Sequence, residues 1–235
     1  AVSLARDTMN HSAPAERVAQ DATPLPYGLI VYAKFSIYPI MAFAIVTIST
    51  LMASLGRRAV RSRLTAAPVS SRSRSLGVMG VCLVIGLVGW LWIFGLAVAA
   101  FGAGAVTTSA PLLGVVGAAL GAYMLVAVSL GFLMGQFGLG QNAANAVANI
   151  GGMALSFLGG AWVPIESLPD SLARAARLTP GYWADRAISG AYEATSMSAD
   201  VMGPLLVDCG ICALFAVAVF SVAVAVGRAR ARSAL

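Results

Sequence analysis

Five long stretches of this chain, 37–55, 76–101, 112–134, 143–163 and 204–227, contain no lysine or arginine, and Asp208 is their single acidic residue. Charged residues are only 10% of the 235, hydrophobic ones are 59%, and the mean hydropathy is +0.86. Soluble globular domains carry about 25% charged residues, so a soluble domain is excluded. Histidine is nearly absent. His11, the one histidine, lies in the polar N-terminal stretch, so neither a histidine metal cluster nor a histidine-based catalytic relay can be assembled. Cysteine is scarce as well. Cys209 and Cys212 have redox-motif spacing but sit inside an apolar run with no βαβ context, and with Cys82 they read as small packing residues. Glycine-rich pieces such as 135–140 lack the Lys-Ser/Thr of a phosphate loop. The expectation is a chain that is not an enzyme, with no ATPase motif, metal or cofactor of its own.

What remains is apolar length. Each of the five runs is near the 20 residues that cross a bilayer as a helix, and an isolated strand in lipid cannot satisfy its backbone polar groups. The predicted fold is all-α: a polytopic transmembrane helical bundle with five spans. Orientation follows from the arginines. Arg57, Arg58, Arg61, Arg63, Arg72 and Arg74 follow the first run, and Arg228, Arg230 and Arg232 follow the last, with no acid among them. Eight of the nine acidic residues fall instead in the N-terminal stretch or between 166 and 200. The positive-inside rule then puts the arginine loop and the C-terminus in the cytoplasm. The net charge of +6 reflects that topology, and no nucleic-acid partner is needed to explain it.

The most specific stretch is 157–183, FLGGAWVPIESLPDSLARAARLTPGYW. It leaves an apolar run through two glycines, turns at Pro164 and Pro169, passes a short amphipathic piece and turns again at Pro180. Gly160, Pro164, Leu168, Pro169, Leu178 and Pro180 stand in the register of an outer-face signature: small-Gly, Pro, Leu-Pro, Leu-x-Pro. In this the chain resembles the type-2 permeases of ABC transporters, more weakly from about residue 32 to residue 232. The resemblance implies short re-entrant helices that dip into the outer leaflet before the last span and line the exit of the pathway. From the residues alone, two short helices are expected here, one through Leu168, Leu172, Ala176 and Leu178–Thr179 and one around Trp183, Ala187 and Ile188. A surface-lying amphipathic loop is the other reading. Trp162, Tyr182 and Trp183 sit where an outer aromatic belt belongs.

Members of that family usually have six helices that begin and end in the cytoplasm. Five spans with the C-terminus inside would put Ala1 outside, which suggests that a first helix precedes it; a cleaved signal is the alternative. On this reading residues 1–36 are an extracytoplasmic segment and 37–235 the permease domain.

The arginine loop reads GRRAVRSRLTAAPVSSRSRSLG from Gly56. Arg57, Arg61 and Leu64 share a helical face, Arg58 and Arg63 flank it, Pro68 stops the helix, and 70–75 offers serine caps for the next span. The family shows basic residues, a leucine and then small-Pro-x-Ser at this place, here Leu64, Ala67, Pro68, Val69 and Ser70. By resemblance this is the loop that couples to the ATPase subunit. A basic loop that only sets topology and touches the membrane surface is the plainer reading.

Polar residues inside the runs are few. Gln141, Asn145, Asn149 and Ser156 form one stripe on the fourth run, beside Asn142, either as helix glue or as part of a substrate route. Gly117/Gly121 and Gly131/Gly135 are GxxxG pairs that mark a close-packed face. Asp208 is expected to pair with Arg174, Arg177 or Arg186 rather than to couple protons.

Taken with the resemblance, these features imply the permease subunit of an ATP-driven ABC exporter. It would sit in the cell membrane of a bacterium, as a homodimer or with a related permease, surrounded by membrane lipid. A separate ABC ATPase subunit would bind the ATP, and an amphiphilic, drug-, peptide- or lipid-like substrate would leave the cell. A secondary transporter and a non-transporting membrane scaffold are the alternatives.

Overall fold

The computed structural model describes residues 24–66 and 71–233. The described residues are helical almost throughout. α1 spans Tyr27–Leu55, α2 Arg58–Ala66 and α3 Ser71–Ala97, the last continuing through a π turn at Val98–Gly102. A single turn, α4 (Ala105–Thr108), leads into α5, Ala110–Phe137. The fourth apolar run forms α6 (Gln141–Ala146), a second π turn (Val147–Gly151) and α7 (Gly152–Leu158) in direct succession. The connection after it holds a 3-10 turn (Ile165–Ser167), α8 (Asp170–Ala176) and α9 (Pro180–Glu193), and α10 closes the chain at Ala199–Ser233.

Among the described residues, four helices are long and apolar enough to cross a membrane: α1, the α3 stretch Leu76–Gly102, α5, and α10 over Ala199–Arg230. The fourth run is not among them. It divides into three short pieces and opens on Gln141, Asn142 and Asn145, which lowers its hydropathy. α1 also differs from its sequence outline. It begins at Tyr27 behind Pro26, so the boundary expected at residue 36 falls inside a continuous helix.

α5 is the axle of the bundle. It has no charged residue, and α10, α1, α9 and α3 all pack on it. Its glycines let the neighbours approach. A methyl group on Gly117 would lie 2.8 Å from the Phe94 ring, and one on Gly131 would lie 2.9 Å from the Ala44 carbonyl. The two GxxxG pairs therefore serve different partners: Gly117 and Gly121 receive Phe94 and Trp90 of α3, and Gly131 and Gly135 receive Ile45 and Met52 of α1. Trp90 completes the first contact by donating its indole N–H to the Gly117 carbonyl at 2.9 Å. At its far end α5 stops on Gly138, whose φ of +65° is the left-handed conformation that glycine adopts without strain. Arg230 of α10 donates there to the carbonyl of Gln136. α3 and α10 leave broad faces of Leu, Val, Trp and Phe exposed, as lipid-facing helices do.

Candidate functional site

The signature stretch builds a tight reversal that seats α9 in the bundle. α7 ends in a Schellman closure: the Ala161 N–H reaches back to the Ser156 carbonyl at 3.1 Å, and the Gly160 N–H to Phe157 at 3.2 Å. Gly160 occupies the left-handed position with φ +96°. Pro164 then opens the 3-10 turn and Pro169 opens α8, each where a missing N–H costs nothing. Leu168, between them, is extended, as the residue before a proline should be. Thr179 caps α9, its hydroxyl accepting from the Tyr182 N–H at 3.4 Å, and Pro180 holds the first helical position. Leu178 is exposed. The two short helices expected in this connection are thus α8 and α9, but α8 is shorter than expected: Leu168 is extended before it, and Leu178 and Thr179 lie past its end at Ala176.

Two glycines make the close approach. A methyl group on Gly159 would fall 2.7 Å from the Gly181 carbonyl carbon, and one on Gly181 would fall 2.8 Å from the Leu155 oxygen. The base of α9 therefore rests directly on the backbone of α7. Its length lies between α1 and α10. Tyr27 meets Tyr192 at 6.2 Å between ring centroids, and Lys34 meets Asp185 at 3.2 Å, so α9 runs antiparallel to α1. Gly190 lies under Leu205, and Arg186 binds Asp208 at 3.0 Å, so α9 is antiparallel to α10 as well.

Consecutive residues of α9 carry opposite charges to opposite sides. Asp185 is 5% exposed. Lys34 Nζ lies 3.2 Å from its Oδ1 as an ion pair without a hydrogen bond's alignment, which leaves that oxygen without a hydrogen bond. The aligned lysine donor goes instead to Ser189 Oγ at 3.2 Å, and Ser189 donates to Asp185 Oδ2 at 3.4 Å. Burial pushes the Asp185 carboxyl up to about 6; Lys34 and the Ser189 hydroxyl oppose the rise, and Glu166 adds to it. On the other side Arg186 is half exposed and lies 5.3 Å over the Trp183 ring, while its partner Asp208 is buried. Of the three arginines considered for Asp208, the structure selects Arg186.

The amide stripe is divided. Gln141 and Asn149 are exposed, Asn145 is half-buried and Ser156 is fully buried. Asn149 accepts from the Tyr38 hydroxyl at 2.7 Å and donates to the Asn145 carbonyl at 2.8 Å, which ties this run to α1. Ser156 bonds back to Gly152 at 2.8 Å. Trp162 joins the same corner, stacked on Phe157 at 5.4 Å and beside Phe35 at 4.8 Å. Cys209 and Cys212 are buried free thiols in α10.

The coupling candidates lie at the opposite end of the bundle. Arg57 precedes α2 and is exposed, Arg58 opens it, and Arg61, Arg63 and Leu64 continue it. Pro68, Val69 and Ser70 lie outside the described residues. Sequence reasoning missed Lys34, Asp185 and Ser189. The available signal was that Lys34 is the chain's only lysine and stands three residues before an apolar run.

No curated protein and no solved structure matches the chain. The family model described as ABC-2 family transporter protein matches residues 10–225, nearly the whole length. Together with the membrane-spanning helices and the folded-back α9, that match gives the identity: the chain belongs to the ABC-2 family of transporter proteins.

Proposed function

We propose that this chain is the permease subunit of an ATP-driven exporter, moving an amphiphilic, drug-, peptide- or lipid-like substrate out of the cell. Two copies, or one copy and a related permease, form the path, and separate ABC ATPase subunits bind the ATP. The chain brings no cofactor. The observation that carries this reading is the opposition of the two ends in a chain of this family: α9 folded back between α1 and α10 at one end, and the short basic helix α2 at the other. Motion delivered at α2 reaches α9 through α1, a continuous helix of 29 residues that touches both. The arginines around α2 and at 228–232 support a cytoplasmic placement of that end. The fourth run crosses as well, as the fourth of five spans, and α8 and α9 are re-entrant from the outer side. The tie between Asp208 and Arg186 favours a structural carboxylate over the titrating one that a secondary transporter would need.

Purification of the tagged, full-length chain from its native membranes tests the reading. An ABC ATPase is expected to co-purify, and the preparation to hydrolyse ATP. An intact, folded chain that carries no ATPase and hydrolyses nothing would overturn it.

A further inference from the structure

We propose that the groove between α3, α5 and α10 holds one acyl chain of an anionic phospholipid from the surrounding bilayer, with the headgroup at the arginines of α3 and α10. The inference goes beyond the transporter reading and does not depend on an ATPase partner. The groove has a volume of about 290 Å³, room for roughly ten groups of water or methylene size. Ser129 and Phe132 of α5 form its floor, Met79 and Leu83 of α3 one wall, and Val217 and Phe220 of α10 the other. All three helices are long and apolar enough to cross a membrane, and Leu83 and Val217 are exposed, so the groove opens toward lipid.

The lining decides the chemistry. Among the described residues that line the groove, none is charged. Its single hydroxyl, on Ser129, already donates to the Leu125 carbonyl at 2.8 Å, so the walls offer a polar ligand little to bind. Hydrocarbon fits. Apolarity alone selects nothing in a bilayer, because lipid tails are as apolar as the groove. Shape adds the first preference. A chain in the groove touches three helices at once, a chain on the convex face of α3 or α10 touches one, and dispersion grows with each close contact.

Charge adds the second. α10 runs parallel to α5, from Cys209 beside Val115 to Phe220 stacked on Phe132 at 5.6 Å. α3 runs antiparallel to α5, from Gly86 beside Val128 to Phe94 over Gly117. The first turn of α3 and the last turns of α10 therefore lie at the same end of the groove. Arg72 and Arg74 stand in that first turn, and Met79 follows Arg74 by five residues, about 7.5 Å along the helix. Arg228 is exposed and follows Phe220 by eight residues, about 12 Å along α10. Neither α3 nor α5 contains an acidic residue, and α10 contains none beyond Asp208. A phosphate held at these unopposed cations has its acyl chain at the mouth of the groove, and an anionic headgroup gains from them what a neutral one does not. Because α3 begins five residues after α2 ends, a lipid bound there fastens α3 to α10 at the end from which α2 leaves.

The test places the full-length chain in nanodiscs of equal parts phosphatidylcholine and phosphatidylglycerol, extracts it in mild detergent and identifies the retained lipid by native mass spectrometry. One phosphatidylglycerol per chain should remain, about ten-fold or more above phosphatidylcholine. Arg72→Gln/Arg74→Gln/Arg228→Gln should bring the two lipids to within about two-fold of each other, with insertion still directed by Arg57, Arg58, Arg61 and Arg63. Ala213→Phe/Val217→Phe fills the groove and leaves every arginine in place; it should lower the retained lipid about ten-fold. A parent without the preference overturns the proposal. So does an arginine variant that keeps it, or a groove-filled variant that holds lipid as the parent does. Should the variants fail to fold, a photoreactive p-benzoylphenylalanine at exposed Val217, on an otherwise unaltered chain, decides the matter. Illumination in the same nanodiscs should attach phosphatidylglycerol in clear excess. Equal attachment of both lipids, or a crosslink to a second copy or to another segment of the protein, overturns the lipid site. No measurement here uses ATP or transport, so failure of the lipid site and failure of the transporter reading are separate results.

Discussion

Placing one methyl group at Gly160 should unsettle the whole end of the bundle in which α9 is seated. The backbone there has φ +96°, and a non-glycine residue held in such a region costs about 1–3 kcal/mol. The new carbon would also lie 2.9 Å from Ile165 Cγ1 and 3.0 Å from Asp185 Oδ2. Overpacking of that kind typically adds about 1–3 kcal/mol, and half-buried Ile165 yields enough to keep the total near the lower end. We expect Gly160→Ala to cost about 2–3 kcal/mol, which for a chain of this size lowers Tm by roughly 5–10 °C. Gly159→Ala separates the two causes. Its φ of −74° is ordinary, but its methyl group would meet the Gly181 backbone at 2.7 Å, which no rotamer change relieves. It should also destabilise, through sterics alone. Gly77→Ala is the control: an exposed helical site with nothing within 4 Å of the added carbon, where alanine stabilises by about 0.4–1 kcal/mol. Thermal unfolding of the purified chain in nanodiscs, followed by tryptophan fluorescence, reads all three. A Gly160→Ala protein that melts within about 1 °C of the parent, or no lower than Gly77→Ala, refutes the reasoning.

Three further outcomes follow from the charges. Asp185 keeps its proton up to about pH 6 when buried, against 3.8 as its ordinary value, so the folded state binds the proton more tightly. Its contribution to stability is greatest below about pH 4 and is lost as pH rises through 6. Tm should therefore be a few degrees lower at pH 7.5 than at pH 5, corresponding to about 1.4 kcal/mol, and Asp185→Asn should remove the dependence; higher stability at pH 7.5 would count against this sign. The Arg186–Asp208 pair should respond unequally, because Asp208 is buried and Arg186 half exposed. Arg186→Ala should cost about 3–5 kcal/mol by stranding a buried carboxylate, whereas Asp208→Asn should cost about 1 kcal/mol or less; equal Tm losses would contradict the assignment. For topology, cysteines placed at Ser71 and Ser233 in intact cells should resist a membrane-impermeant thiol reagent while one at Ser196 reacts, and labelling of the Ser71 site from outside would reverse the orientation.

The helical class and the signature turn were legible because both rest on local chemistry. Charge is nearly absent from the apolar runs, and Pro164, Pro169, Gly160 and Pro180 stand where the backbone needs each of them. The start of α1 was not legible. Lys34 reads as the end of an apolar run, and what lets it lie within a helix is a carboxylate on α9 and a hydroxyl 155 residues further on. The order of packing was hidden too. α3, α5 and α10 are apolar on all sides, and such helices carry no stripe that says which one is central. The glycines of α5 marked close contact without naming Phe94, Trp90 and Met52 as what fills the space. Spacing set Gln141, Asn145, Asn149 and Ser156 in one stripe, yet Asn149 meets Tyr38 while Ser156 is sealed in packing, a difference set by what lies opposite each of them.

The central claim is that this chain is driven by a separate ATPase through the 57–70 segment, and one comparison tests it most directly. Apolar side chains buried at an interface contribute one to a few kcal/mol, by order of magnitude, whereas exposed charges contribute about 0–1. Leu64→Asp with Val69→Asp should therefore abolish co-purification of the ATPase and substrate-stimulated ATP hydrolysis, with membrane insertion intact. Arg72→Ala should leave both nearly unchanged. A Leu64/Val69 variant that inserts normally, binds the ATPase as the parent does and keeps its substrate stimulation would contradict the account.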